Sequence, residues 1–500
     1  MKEWHPTLTQ TNSLLYKNMP AEPSQQLSKD IGTSQFFTLA FGSIIGVGWV
    51  VALSAWLSQA GPLGAVVGFI GGGLLMMLVG LCYIEISTMF PVSGGEVVYT
   101  YEIFGTKTCF AVGWLFALAY IAITAFEAIS IGWIAGTLFP GIQGRTLYTS
   151  GGSDVQAGTL LLGLAGMLLL IFLSYRGTRF AAAFQDLLTY AKIGLAIIFI
   201  SAGIGWGNVD NLKPLFQRSG SGSLLIGIFA VFLTAPFWYG GFNIIPQVMG
   251  EKAPKTSLKT VGRTLLFSIA LSGAFYCLII LACSMSLPRD KLSALNLPVA
   301  EVFTAAYNSP TLTKLVLVAA LLGNFTAWNG VIVSGSRILF ALGRARIIWS
   351  GFGRVHPVFR SPAISVVFVG AVATLGVFLG RSAIIPIVNL ASACFALGYL
   401  LICLGVLKLR RQQPERDRPY RVPGGKVTAT LAVAGSVFML FLSLYQPYVE
   451  ARGRFPLEWS FFLGWGILGA IFWLVAKKIR GGMTEQQRRD LIVESSTGVD

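Results

Sequence analysis

Residues 41–49 read Phe-Gly-Ser-Ile-Ile-Gly-Val-Gly-Trp, three glycines inside the first apolar stretch long enough to cross a bilayer. Glycine costs a helix about 1 kcal/mol per residue relative to alanine, so three close together mark a break. In hydrocarbon a broken helix strands its backbone polar groups. That is tolerated only where they line a cavity or meet a ligand. A second interruption, Phe237-Trp-Tyr-Gly-Gly-Phe-Asn243 with Pro246 behind it, falls in the sixth apolar stretch. Interrupted helices at matching places in two halves of a membrane protein point to a transporter's binding site.

The composition agrees. A 500-residue chain that is 54% hydrophobic and 12% charged, with mean hydropathy +0.70, is not a soluble globular protein; soluble chains carry roughly twice that charged fraction. Apolar runs recur at 36–57, 62–90, 109–137, 158–174, 184–205, 223–249, 264–287, 313–342, 362–380, 383–407, 427–447 and 459–476. Each approaches the ~20 residues a spanning helix needs. We number them spans one to twelve. The ten-residue alternation of a membrane barrel is absent.

The net charge of +16 is topological. With the N-terminus inside, most of the 37 Lys and Arg fall on the cytoplasmic side, the largest group between Lys408 and Lys426. This positive-inside bias predicts cytoplasmic termini. It implies attraction to anionic membrane lipid, and no nucleic acid is expected. The six cysteines lie within or beside spans, so no disulfide framework is expected. The polar N-terminal stretch is not a cleavable signal. Both histidines, His5 and His356, lie in polar segments. The chain lacks HExxH, a phosphate-binding loop and a nucleophile elbow, which argues against an enzyme or an ATP-driven pump. No metal site or cofactor is implied, and a channel's repeated filter is missing.

The organisation follows from the breaks. Residues 1–35 form a cytoplasmic tail, 36–205 hold spans one to five, and 223–407 hold spans six to ten. A basic loop at 408–426, spans eleven and twelve at 427–476, and a cytoplasmic tail at 477–500 complete the chain. Each set of five opens with an interrupted span, and an odd count inverts the second set relative to the first. The predicted fold is all-α, twelve transmembrane helices in a 5+5 inverted repeat with two helices appended. A short interfacial helix is expected in 91–102 and an external one in 293–307.

Four segments, in order and on the right spans, resemble the amino acid–polyamine–organocation permeases, a family with the leucine-transporter fold. Gly42-Ser-Ile-Ile-Gly-Val-Gly48 is similar to the first-helix signature. Tyr83-Ile-Glu85 with Pro91-Val-Ser-Gly-Gly95 and Tyr99 resembles the end of helix two and its loop. Ser336-Arg337 to Arg344, with Val355 to Pro362, resembles helix eight and the loop after it, and Arg418-Pro-Tyr-Arg-Val-Pro423 the stretch after helix ten. The resemblance implies a secondary transporter of the inner or plasma membrane that imports an amino acid or related amine by alternating access, with a proton. An amino acid/amine exchanger, a polyamine permease and a non-transporting sensor on the same fold are the alternatives.

The candidate site residues follow. Unwound backbone at Gly46, Val47 and Gly48 can offer N–H groups to a carboxylate, and carbonyls near Ser43 and Ile44 can accept from an ammonium. Small-residue helix packing is the other reading of these glycines. Carbonyls near Ala235, Pro236 and Phe237 are expected to complete the ammonium site. By the resemblance, Phe237, four residues before Gly241, closes over the substrate unless it is simply a packing ring. The family's acidic residue after Gly241-Phe242 is here Asn243, a hydrogen-bonding group that cannot carry a proton. Lys192 lies within span five, where a charge is costly unless paired or wetted. It either snorkels to the interface or, as the resemblance implies, stands where sodium sits in sodium-coupled relatives and carries the coupling proton. Glu127, mid-span three, is a substrate or proton site or else a structural carboxyl. Glu85 and Arg337 are expected in a cytoplasmic gate network.

Overall fold

The structure, a computed structural model, describes residues 29–492 except 177, 219–222, 294, 296 and 452–453. Most of the expected N-terminal tail and the end of the C-terminal tail therefore lie outside the described residues. Among these residues, eleven helices are long and apolar enough to cross a membrane. Span nine is shorter. Pro362 caps its start and a turn ends it before Gly380, leaving Ala363–Val377, 15 residues. That is below the ~20 residues a perpendicular crossing takes.

Span one is Thr33–Ile44, a non-helical step at residues 45–47, and the resumed turn Gly48–Val51. Helix then runs from Leu53 to Met89, with non-helical dihedrals at Gly61 just before Pro62. The boundary between spans one and two is therefore a kink and not a loop. Span six is broken more heavily. Leu225–Phe232 ends, Ala235–Trp238 makes one turn, Gly240–Asn243 tightens to 3₁₀, and Ile244–Gln247 resumes the helix. Glu96–Phe104 is the short helix expected between spans two and three, and Pro298–Tyr307 the one expected before span eight. The loop after span three holds a small antiparallel hairpin, Thr146–Ser150 with Ser153–Gln156. Its Gly151-Gly152 turn has φ 54° and 80°, the mirror-image geometry that matches strand twist.

Burial separates centre from periphery. Spans three (Thr106–Leu138) and eight (Pro310–Arg344) are 83% and 78% buried over their most apolar windows, and they pack on each other more extensively than any other pair. Spans eleven (Lys426–Val449) and twelve (Leu457–Val475) are only 28% and 17% buried, leaving apolar faces for lipid. All six cysteines are unpaired.

The face carrying the basic loop is knitted by buried ion pairs. Arg410 forks onto Glu85, its Nε donating to Oε1 at 2.9 Å and a terminal nitrogen contacting Oε2. Arg418 Nε lies 3.4 Å from Glu85 Oε1, and the Val422 N–H donates to Oε2 at 2.8 Å. The Arg418 guanidinium also donates to the carbonyls of Leu409, Gln413, Pro414 and Arg416. One carboxylate thus fastens the loop after span ten to the end of span two. Removing one partner of a buried pair costs about 3–5 kcal/mol because the survivors keep their charge without a counter-charge. E85A is expected to lower the unfolding temperature of the detergent-purified protein clearly, and E85Q to retain part of that stability, since the amide still accepts from Val422.

Candidate functional site

The break in span one is filled from span five. Lys192, fully buried, aims its Nζ into the step. It donates to the Gly42 carbonyl at 3.2 Å and to Thr326 Oγ1 at 3.0 Å, and it contacts the Ile45 carbonyl. Thr326 of span eight shares the work, its hydroxyl lying 3.0 Å from Gly42 O and 2.8 Å from Gly323 O. The next carbonyl, Gly46 O, accepts from the Trp49 indole at 3.1 Å. An ammonium has three N–H donors and no acceptor. Gly42 O, Ile45 O and Thr326 Oγ1 are three acceptors around it.

The second break lies against the first. Gly241 packs so closely on the Ser43–Ile44 peptide that a Cβ there would fall onto its backbone atoms. The Tyr276 hydroxyl from span seven sits between the two breaks, 2.9 Å from Ile44 O and 3.2 Å from Trp238 O. Where the breaks meet there is a cavity of about 30 Å³, room for a water or two. An amino acid therefore enters only if lining side chains move. Ser43, Ile44, Gly46, Gly48, Glu127, Phe237 and Gly241 line it, together with Tyr120, Ile123, Phe126, Trp238, Tyr276, Gly330, Val331, Ser334 and Phe395.

Glu127 faces this cavity from span three. Asn324 Nδ2 of span eight donates to its Oε2 at 2.8 Å and to its backbone carbonyl at 2.9 Å. The other oxygen, Oε1, lies beside Gly46, where an added Cβ would stand only 2.7 Å from it and 2.8 Å from Ala327 Cβ. Glycine is the residue that lets the break and this carboxylate share the space. Phe237 meets Phe126 at 5.2 Å and Trp238 at 4.7 Å between centroids, and Trp238 meets Trp56 at 5.1 Å, an aromatic wall on one side.

Other expected residues lie next to the cavity or beyond it. Val47, Ala235 and Pro236 belong to the breaks without lining it, and the Ala235 carbonyl accepts from Tyr239 N at 2.9 Å. Asn243 is buried and does not line the cavity; its Nδ2 donates to the Tyr399 hydroxyl at 3.0 Å. Glu85 and Arg337 do not meet. Arg337 pairs instead with Glu251, beyond the end of span six, at 3.2 Å. Tyr120, Ile123 and Tyr276 are among the lining residues that the sequence reading missed, with Phe126, Trp238, Gly330, Val331, Ser334 and Phe395. The first two sit one helical face from Glu127, at i−7 and i−4, a spacing visible once Glu127 is suspected. Nothing local marks Tyr276.

The amino acid permease family model matches residues 31–475. The chain belongs to the amino acid permease family. This permease is 25% identical over 464 residues to the branched-chain amino acid permease BcaP of Bacillus subtilis, covering 91% of the chain and 94% of that protein. It is 26% identical over 418 residues to the serine/threonine exchanger SteT of Bacillus subtilis, covering 83% and 91%. To the methylthioribose transporter of the same organism it is 25% identical over 426 residues, covering 82% and 89%. The relatives are transporters, not enzymes, and a multi-pass membrane permease is what the helices form.

Filling the approach at Gly241 overpacks two backbones against each other, a penalty of about 1–3 kcal/mol. G241A is expected to weaken amino acid binding by about fivefold to a hundredfold, that penalty at about 1.4 kcal/mol per decade, in equilibrium binding to the purified permease. The same substitution at Gly464, where a Cβ meets nothing within 4 Å, should leave binding unchanged.

Proposed function

We propose that this permease imports a neutral amino acid across the cytoplasmic membrane by alternating access, together with a proton carried by Lys192. The observation that carries this reading is the three-acceptor setting of the Lys192 amine. The protonated amine satisfies all three acceptors. The neutral amine has two N–H groups and one lone pair, so proton loss either strands one acceptor or turns the Thr326 hydroxyl to donate, and the contacts holding the break change with it. The carbonyls concerned lie on the N-terminal side of Gly46, one of them on the residue next to it, so the shape of the substrate site follows the proton. The substrate's carboxylate is assigned to the amides of Gly46, Val47 and Gly48, and its ammonium to Glu127 Oε1 with the carbonyls near Ser43, Ile44 and Phe237. Rings and aliphatic groups of Ile123, Phe126, Phe237, Val331 and Phe395 surround the side-chain end. Such a lining favours an apolar side chain, in keeping with the similarity to a branched-chain permease.

The architecture of this reading is twelve spans in two inverted sets of five with two appended, short span nine included. Both termini are cytoplasmic, by the distribution of Lys and Arg. Glu85 with Arg410 and Arg418, and Glu251 with Arg337, then close the cytoplasmic side. The similarity to a serine/threonine exchanger supports a second reading, obligatory exchange on the same site.

Proteoliposomes with an empty lumen and an inside-alkaline pH gradient separate these readings. Accumulation of labelled leucine that is abolished by a protonophore and indifferent to sodium is the expected result. K192A and K192M should reduce it to background while still binding leucine. Uptake only into vesicles preloaded with amino acid would establish exchange. A sodium requirement would overturn the role of Lys192.

A further inference from the structure

Three carboxyls are buried around the closure formed by the ends of spans two and six: Glu85, Glu251 and Glu96, at 1%, 1% and 0% exposure. Two have counter-ions, Glu85 in Arg410 and Arg418, and Glu251 in Arg337. Glu96 has none among the described residues. Its Oε1 accepts from the Tyr83 hydroxyl at 2.8 Å, and its Oε2 touches the amide of Gln247. The titratable groups within its electrostatic reach are phenols: Tyr83 of span two, Tyr120 of span three, Tyr399 of span ten and Tyr99 of its own helix. The charged groups nearby are paired with one another, Glu85 with Arg410 and Arg418, and Glu251 with Arg337.

The position matters because Glu96 opens the helix that plugs this face. Gly94 N donates to Gln247 O at 3.1 Å, and Gly95 packs against the Gln247 amide. The segment after Gln247 is held from the far side, Ile31 N to Glu251 O at 3.0 Å and Ala253 N to Ile31 O at 2.9 Å. The Glu96–Gln247 contact thus joins the loop after span two to the end of the broken span six. Gln247 Oε1 is buried with no partner. Amide ends are assigned from the hydrogen-bond network, and turned end for end the amide offers that oxygen to a carboxyl proton. A neutral acid then donates its proton to the amide oxygen while its other oxygen still accepts from Tyr83.

We propose that Glu96 is a protonatable latch of the cytoplasmic gate, neutral while it is locked to Gln247 and ionised once the gate opens and water reaches it. It is a positioning residue, acting on the substrate only through span six. On opening, the carboxyl O–H breaks and water takes the proton; on closing, the proton returns. Burial pushes the locked carboxyl from about 4.5 up to about 8. Between those values the closed state holds a proton that the open state does not, so rising internal pH favours opening, by up to about tenfold per pH unit. Below about 4.5 both states are protonated and above about 8 both are ionised, and the dependence levels off. The sidedness rests on the orientation proposed above. The protonation itself does not.

Two measurements on the full-length permease test this. In pH-difference infrared spectra of purified protein, a protonated-carboxyl carbonyl band should titrate near pH 8 and be missing from E96Q; an unchanged band in E96Q overturns the proposal. In proteoliposomes, amino acid counterflow at fixed external pH should rise with internal pH in the native protein and be flat in E96Q; a retained slope overturns it. Y83F removes the phenol that steadies the ionised carboxylate, so it should move the band's midpoint to higher pH. It decides the matter where E96Q does not fold, and an unmoved midpoint counts against the latch. Absence of gradient-driven uptake in the native protein, with the internal-pH profile intact, sinks the Lys192 reading and spares this one. If no amino acid is transported, the infrared arm still decides.

Discussion

A single ammonium group makes the broken first span permissible. Carbonyls released from a helix inside hydrocarbon cost several kcal/mol each unless something donates to them. Lys192 donates from span five, and Thr326 shares the same acceptors from span eight. Three spans remote in sequence are held at one point by groups that none of them could leave alone. The neighbouring features inherit their geometry from it. Gly46 takes its place beside Glu127, Glu127 is fixed by Asn324, and the second break packs across the first through Gly241. A lysine is a demanding choice for this task, because its own charge needs the acceptors as much as they need it.

The two sides of the cavity are closed by different physics. One is sealed by rings, Phe126, Phe237, Trp238 and Trp56, whose edge-to-face contacts contribute about 0.5–1.5 kcal/mol each beyond their burial and tolerate sliding. The other also holds rings, Tyr83, Phe242, Tyr399 and Phe395, but adds directional bonds: Glu251 with Arg337, Glu96 with Tyr83 and Gln247, and Glu85 with its two arginines. Rings can part in small steps. Buried ion pairs separate only when water arrives to replace the partner. In the proposed cycle the first closure is a compliant gate and the second one that switches.

The sequence made legible whatever glycine, proline and hydrophobic periodicity control locally. The Gly42–Gly48 and Phe237–Pro246 stretches announce both breaks because helix propensity fails there whatever surrounds them. Span nine misled for a related reason. Its apolar run extends to 380, but Pro362 and the turn before Gly380 trim the helix inside it. The hairpin at 146–156 carried a local signal in Gly151-Gly152, hidden by its setting in a loop between spans. Partner choice was not legible. Glu85 was expected in a cytoplasmic gate network, yet nothing near it in the chain selects Arg410 and Arg418, and nothing near Arg337 selects Glu251. Tyr276 is an ordinary apolar-helix tyrosine until folding lays its hydroxyl between Ile44 O and Trp238 O. Such pairings are set by tertiary packing, which periodicity does not encode.

Asn243 shows how the pieces constrain one another. With an amide in place of an acid after Gly241, the acidic group at the breaks is Glu127, on span three, within electrostatic reach of Lys192. Membrane interiors tolerate charge best when it sums to zero. An ionised Glu127 with a protonated Lys192 meets that condition when the site is empty. It still does when a zwitterionic amino acid enters, because the substrate adds no net charge. A cationic side chain would add one unless Lys192 had first given up its proton. The same lysine that keeps the break intact therefore sets the charge of the substrate that can share the site with it. On the proposed coupling, a protonated Lys192 matches a neutral amino acid, and selectivity and coupling become two readings of one proton's position.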